Sequence, residues 1–261
     1  MNALISASEL LSCLDDVQIF EVGAKTADAE QASHALASYQ AGHIPHARYV
    51  DLMQFFCNQR THLEYQHPNT EEMLASLEHF QVDPDRKIVI YDRDNHIWAA
   101  RLWWLLYVFG FRNIAVLHGG FQVWQQHDYP LSSESYKTDV NVSYSYELTD
   151  PSAYFATLQD VLDIVEGRQS AQLINVLRAV VFSGEELRYA RAGHIPKSIN
   201  IPFAHFLDAN GYFKTDISNF QANFGLDFQQ SIVIYCGSGI TASGAAFALM
   251  QSEVRNIKIY D

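Results

Sequence analysis

Cysteine is scarce in this 261-residue chain, with Cys13, Cys57 and Cys236 widely separated and no Cys-x-x-Cys pair. That excludes a disulfide framework and a cysteine-based zinc site, and it predicts a reducing compartment, the cytoplasm. Basic residues are also few. The 17 Lys and Arg stand against 30 Asp and Glu, a formal charge of −13, so no concentrated basic face is available to follow a nucleic-acid backbone. Long apolar runs are missing as well. The longest, Leu102 to Phe111, lies between Arg101 and Arg112 and falls far short of the roughly 20 residues that span a bilayer. Met1 to Leu11 holds no basic region and meets Glu9 before an apolar run develops, so neither a signal peptide nor a membrane anchor is predicted. The hydrophobic share of 48% is ample for one large packed domain or two ordinary ones.

The chain repeats itself. Ala41-Gly42-His43-Ile44-Pro45 and the strand-like run ending at Asp51 recur as Ala192-Gly193-His194-Ile195-Pro196 and Ser198-Ile199-Asn200-Ile201-Pro202, 151 residues later. Lys87-Ile88-Val89-Ile90-Tyr91-Asp92 matches Ser231-Ile232-Val233-Ile234-Tyr235-Cys236 at 144, and Arg112-Asn113-Ile114 matches Arg255-Asn256-Ile257 at 143. Three blocks in one order at nearly constant offset indicate a duplication. Each copy alternates short β-branched runs (Gln18 to Val22, Ile88 to Tyr91 and Ile114 to Leu117; Leu173 to Val176, Ile232 to Tyr235 and Ile257 to Tyr260) with stretches of helical apolar spacing. Such alternation predicts an α/β fold with parallel sheets flanked by helices. The polar stretch around Ser132 to Ser152, ending in Asp150-Pro151, is the natural connection. The division is therefore 1–135, a linker 136–150, and 151–261.

Cys236 follows the buried run Ile232 to Tyr235 and opens Cys236-Gly237-Ser238-Gly239-Ile240-Thr241-Ala242, before a small apolar helix-compatible stretch. Ligands of open α/β sheets bind at the carboxyl ends of strands, and a helix N-terminus offers unpaired N–H groups and partial positive charge. Both favour thiolate over thiol, and the glycines let successive N–H groups curl toward the sulfur. Cys13, in a helix-like run, and Cys57, in a loop without glycines, are read as small buried hydrophobes. Cysteine phosphatases carry an arginine six positions after their cysteine to clamp phosphate; Ala242 stands there, so phosphate-ester chemistry is disfavoured. A persulfide, whose charge several N–H donors can share, suits the loop better.

These residues resemble the two-domain rhodanese family of sulfurtransferases, and within it the mercaptopyruvate-using members, over about Leu10 to Asp261. The duplicated Gly-His-Ile-Pro segments, Ala100-Arg101-Leu102-Trp103-Trp104 with His118-Gly119-Gly120-Phe121-Gln122-Val123-Trp124, and the loop Cys236 to Thr241 carry the resemblance. It implies tandem rhodanese-like domains and an enzyme in which Cys236 takes sulfur from 3-mercaptopyruvate, releases pyruvate, and passes the sulfur to cyanide or to a thiol such as thioredoxin or glutathione, with no cofactor and no metal. The first domain, with Asp92 in the cysteine's place, is then non-catalytic. Gly237, Gly239, Ile240 and Thr241 are implied to cradle substrate. Ser238 fits the loop serine that the family links to a histidine and an acid. His67 is the preferred histidine and His62 the reserve, with a solvated loop residue as the alternative for either. The acid's place holds Met53. His43 and His194 are assigned structural hydrogen bonds.

Two departures stand out. Where the family has two substrate-binding arginines after the first strand of the second domain, this chain has Leu177 and Val181. Arg178, Arg188 or Arg191 could take over the carboxylate, since guanidinium grips it in a fork, or could be ordinary surface charges. The sequence also ends at Asp261, directly after the last strand, so the second domain is predicted to lack its final helix. A module that has lost substrate recognition, and an enzyme using thiosulfate, are the competing readings.

Overall fold

A computed structural model describes residues 3–24, 29–136, 142–252 and 254–261, with side chains of 29–34 left undescribed. The predicted linker, 136–150, includes residues 137–141, which lie outside the described residues. The chain divides into two compact units, residues 2–150 and 151–261. The first runs β1 (Leu4–Ile5), α1 (Ala7–Ser12), β2 (Gln18–Gly23), α2 (Ala29–Ala41), β3 (Ala47–Asp51), α3 (Leu52–Phe55), α4 (Thr70–His79), β4 (Ile88–Tyr91), α5 (Ile97–Val108), β5 (Ile114–Leu117) and α6 (Gly120–Gln126). The second runs α7 (Leu158–Glu166), β6 (Gln172–Asn175), α8 (Ala179–Ser183), β7 (Ile199–Asn200), α9 (Phe220–Phe224), β8 (Ile232–Tyr235), α10 (Ile240–Gln251) and β9 (Ile257–Tyr260).

Each unit is a parallel sheet with helices on its faces, as the alternating pattern predicts. The first sheet is ordered β1-β5-β4-β2-β3 and the second β7-β6-β8-β9, the same order read from the opposite edge, with a bridge from Phe155 to Ile259 in the place of β1. The strands β4 and β8 share the sequence Ile-Val-Ile-Tyr and are buried throughout, as expected of strands covered on both faces. α5 and α10 are both 12 residues long and buried along most of their length, which explains why their apolar residues occupy every side rather than one stripe. The amphipathic helices instead start on reciprocal caps: Ser6 with Glu9, Asn69 with Glu72, and Thr157 with Asp160.

The duplication extends to polar detail. The Ile44 N–H donates to the Tyr91 hydroxyl at 3.2 Å, and the Ile195 N–H to the Tyr235 hydroxyl at 3.0 Å. His43 and His194 have Nδ1 at 2.7 and 2.8 Å from the carbonyls of Tyr39 and Phe182 and stack on those rings. Both histidines therefore tie down a turn. Gln18 and Gln172 each clip a loop backbone: the Asp83 N–H donates to Gln18 Oε1 and Gln18 Nε2 donates to the Asp83 carbonyl, both at 2.8 Å, and Gln172 does the same to Asp227 at 2.9 and 2.7 Å. Beyond residue 141, the Tyr146 hydroxyl donates to the Val82 carbonyl at 2.8 Å and Thr149 Oγ1 to that of Val108 at 2.8 Å. In the first unit Phe121 and Trp124 of α6 join the core on one sheet face. In the second, β9 is followed by Asp261 alone, and Ile195 and Tyr260 pack half-buried on the smaller corresponding cluster.

Because Gln18 is buried and Gln172 only half so, replacing them has unequal cost. Gln18→Leu is expected to lower the unfolding free energy by about 1–3 kcal/mol, since it takes an acceptor from the buried Arg48 guanidinium as well as the clip on the half-buried Asp83 backbone, and Gln172→Leu by less. Urea denaturation of the two variants checks the order.

Candidate active site

Cys236 is half-buried and unoxidised, immediately after β8. Gly237 is exposed, Ser238 half-buried, and Gly239 is the left-handed N-cap of α10, with φ 73°. The Gly239 carbonyl accepts from the Ser243 N–H at 2.9 Å and from Ser243 Oγ at 2.8 Å. The N–H groups of Ile240, Thr241 and Ala242 thus belong to the first turn, before the α-helical ladder begins. Ile240 turns its side chain into the core, so only its main chain can serve a ligand. Thr241 is half-buried.

The first unit shows what such a loop does with an anion. Asp92, in the place of Cys236, is almost fully buried, and its carboxylate collects four backbone donors: Oδ1 accepts from Asp94 and His96 at 3.1 Å each, Oδ2 from Trp98 at 3.1 Å and Ala99 at 3.0 Å. His96 is the left-handed N-cap of α5, as Gly239 is of α10. Trp98 and Ala99 hold the second and third helical positions, which in α10 are Thr241 and Ala242. The loop from cysteine to cap is one residue shorter in the second unit, Cys236 to Gly239 against Asp92 to His96.

The remaining predicted residues fall into place as follows. Arg178 is exposed and its guanidinium bonds the Glu186 carboxylate. Val181 is buried and Leu177 half-buried, so neither family arginine position presents a polar group. Arg188 is exposed, its guanidinium carbon 6.0 Å from the centroid of the Tyr189 ring. Arg191 is exposed. His67 is half-buried just before α4, in the first unit, and His62 is exposed. Tyr189, which no motif singled out, lies against the loop: a β-carbon added at Gly237 would fall on its hydroxyl and 2.7 Å from its Cε1. Burial raises the Tyr189 pKa, the charge of Cys236 adds to the rise, and Arg188 opposes it. Among the described residues no group of three or more His, Cys, Asp or Glu could hold a metal ion, and no helix is long and apolar enough to cross a membrane.

Parallel sheets duplicated in tandem, with a cysteine between a central strand and a helix, define a class. The sequence signature of the rhodanese-like domain matches residues 6–127 and again 158–261. The chain is 29% identical over 266 residues to 3-mercaptopyruvate sulfurtransferase of Escherichia coli (strain K12), spanning 98% of this chain and 92% of that protein. It is 28% identical over 242 residues to thiosulfate sulfurtransferase of Cricetulus griseus, spanning 87% and 77%. The crystal structure of SseA, the 3-mercaptopyruvate sulfotransferase of Escherichia coli, matches with a TM-score of 0.84 at 27% identity, covering 100% of this chain and 98% of that one. The chain belongs to the rhodanese family, as a sulfurtransferase with two rhodanese-like domains.

Burial pushes the Asp92 carboxyl up to about 7 against its amide donors. A carboxyl whose folded pKa lies above its unfolded one stabilises the protein below the unfolded value, near 3.8, and loses that stabilisation as pH rises through the folded value. Relative to Asp92→Asn, which cannot ionise, the native protein should therefore lose stability between about pH 4 and 7, by up to roughly 4 kcal/mol. Urea denaturation of both proteins at pH 4.5 and 7.5 measures the difference, and a change of opposite sign would mean that the four amides outweigh burial.

Proposed function

We propose that the protein moves sulfane sulfur from 3-mercaptopyruvate, releasing pyruvate, to a thiol or cyanide through a persulfide on Cys236. The carrying observation is the internal comparison: the loop that ends β4 directs four main-chain N–H groups at the side chain of residue 92, and Cys236 occupies the matching position in the second unit. On this reading the N–H groups of Gly239, Thr241 and Ala242, the counterparts of His96, Trp98 and Ala99, serve the persulfide that forms on Cys236, while Asp92 fills its own cradle and cannot carry sulfur. This is covalent catalysis in two half-reactions, with preorganised donors supplying the electrostatic stabilisation.

Residue roles follow from the loop. Gly237, Gly239, Ile240 and Thr241 contribute backbone, and Ser238 a hydroxyl beside the reacting sulfur. Arg188 is the better placed of the two arginines for the donor's carboxylate, because Arg178 would first have to leave Glu186. His67 carries proton transfer on the family resemblance alone. The mercaptopyruvate preference is supported by the uncharged Gly-Ser-Gly loop and by the mercaptopyruvate-using relatives; the acceptor is a small thiol such as glutathione or a protein thiol such as thioredoxin, in the reducing cytoplasm. The division into 1–135, linker 136–150 and 151–261 belongs to the same reading.

With 3-mercaptopyruvate, the protein is expected to release about one pyruvate per chain in a first turnover and to gain the mass of one sulfur atom on the peptide bearing Cys236. Cys236→Ser should lose both. Mass spectrometry with a pyruvate assay decides, and sulfur loading from thiosulfate alone would replace the donor assignment.

A further inference from the structure

Among the described residues, Tyr189 supplies the three atoms nearest to where a β-carbon at Gly237 would stand. Its ring and hydroxyl occupy the space that a β-carbon at 237 would take, so the ring sits directly over the backbone of the residue next to the nucleophile. The residue is 42% exposed, so it borders the open side of the loop and is not part of the core. The neighbouring Arg188 has its guanidinium carbon 6.0 Å from the centroid of the Tyr189 ring. The phenol oxygen carries one proton that it can donate and two lone pairs that can accept.

Building on the mercaptopyruvate reading above, we propose that Tyr189 is a catalytic residue of the donor half-reaction, its O–H donating to the 2-oxo oxygen of the α-keto acid donor as that oxygen becomes an enolate. The Cys236 thiolate attacks the donor's sulfur and an S–S bond forms. The carbon–sulfur bond breaks, and its electron pair passes to the donor's methylene carbon and onto the 2-oxo oxygen. The proton of the donor thiol, now on the outer persulfide sulfur, goes to that carbon, giving pyruvate and a persulfide anion. The carbon is reduced and the sulfur pair oxidised by the same two electrons, so no further redox partner is needed. A neutral phenol is the form this role requires, and a tyrosine is neutral at neutral pH without any shift; burial raises the Tyr189 pKa further. Such a donor, aimed at charge that exists only after bond breaking begins, raises kcat more than it lowers KM.

Tyr189→Phe keeps the ring against Gly237 and removes the hydroxyl alone. The expected result is a drop of roughly 10- to 100-fold in kcat for pyruvate release, with KM changed less than threefold. Discharge of an already formed Cys236 persulfide to cyanide, which generates no enolate, should be unchanged. Equal slowing of both half-reactions would overturn the proposal, because the hydroxyl would then act on the sulfur or on loop shape. No slowing of either would overturn it as well. If the unaltered protein forms no pyruvate, the mercaptopyruvate reading itself fails and this assignment with it; if it does and Tyr189→Phe matches it, only the role of Tyr189 falls.

Discussion

The interaction on which the molecule turns is between a side chain at the end of a central parallel strand and the main-chain amides that follow it. A parallel strand buried on both faces delivers its last residue to the sheet's carboxyl edge, and the next helix begins there with N–H groups that have no ladder partner. A side chain at that junction is desolvated by the sheet and solvated by the helix start. At residue 92 the two effects are both visible, a buried carboxylate met by four amides. At residue 236 the matching strand end and helix start carry a thiol. The first unit fills its amide cradle with its own side chain.

What holds the frame is shared by the units. A tyrosine closing the central strand accepts from the Gly-His-Ile-Pro turn, a histidine in that turn is stacked and bonded to a carbonyl, and a glutamine on the neighbouring strand clips the loop before the central strand. The tyrosine contacts join the C-terminal end of the sheet, and the glutamine clips its N-terminal end, to loops far away in sequence, so the central strand is fixed at both ends and not by the following loop alone. Where the copies differ, they differ around the junction. Glu21 is tied to Tyr91 and Arg93 in the first unit, and its counterpart Asn175 serves the Leu177 N–H and Asn200 in the second. One copy pairs a buried carboxylate with an arginine at this place, and the other puts a neutral amide side chain there.

Much of this was legible in the chain itself. Strands β2, β4, β5, β6, β8 and β9 announced themselves through β-branched runs, and the nearly constant spacing of matched blocks identified the duplication, though not the strand order. β1 and β7, two residues each, are too short to show a period. Cys236 was identifiable because strand, cysteine, glycines and helix are contiguous. Asp92 could be seen as a lost cysteine but not as an occupied cradle, since its donors are main-chain groups with no sequence signature. Tyr189 was invisible for a related reason: its contact with Gly237 joins segments remote along the chain, and one tyrosine among arginines forms no pattern. The clipping glutamines escaped notice likewise, because a side chain bonded to backbone leaves no complementary residue to find.

The two strand ends differ in accessibility. Residue 92 is almost fully buried, whereas residue 236, after a loop one residue shorter, is only half-buried. A thiol placed at position 92 would be a nucleophile shut off from any donor molecule, so on the proposed reading the first half is closed by its architecture as much as by its lack of sulfur.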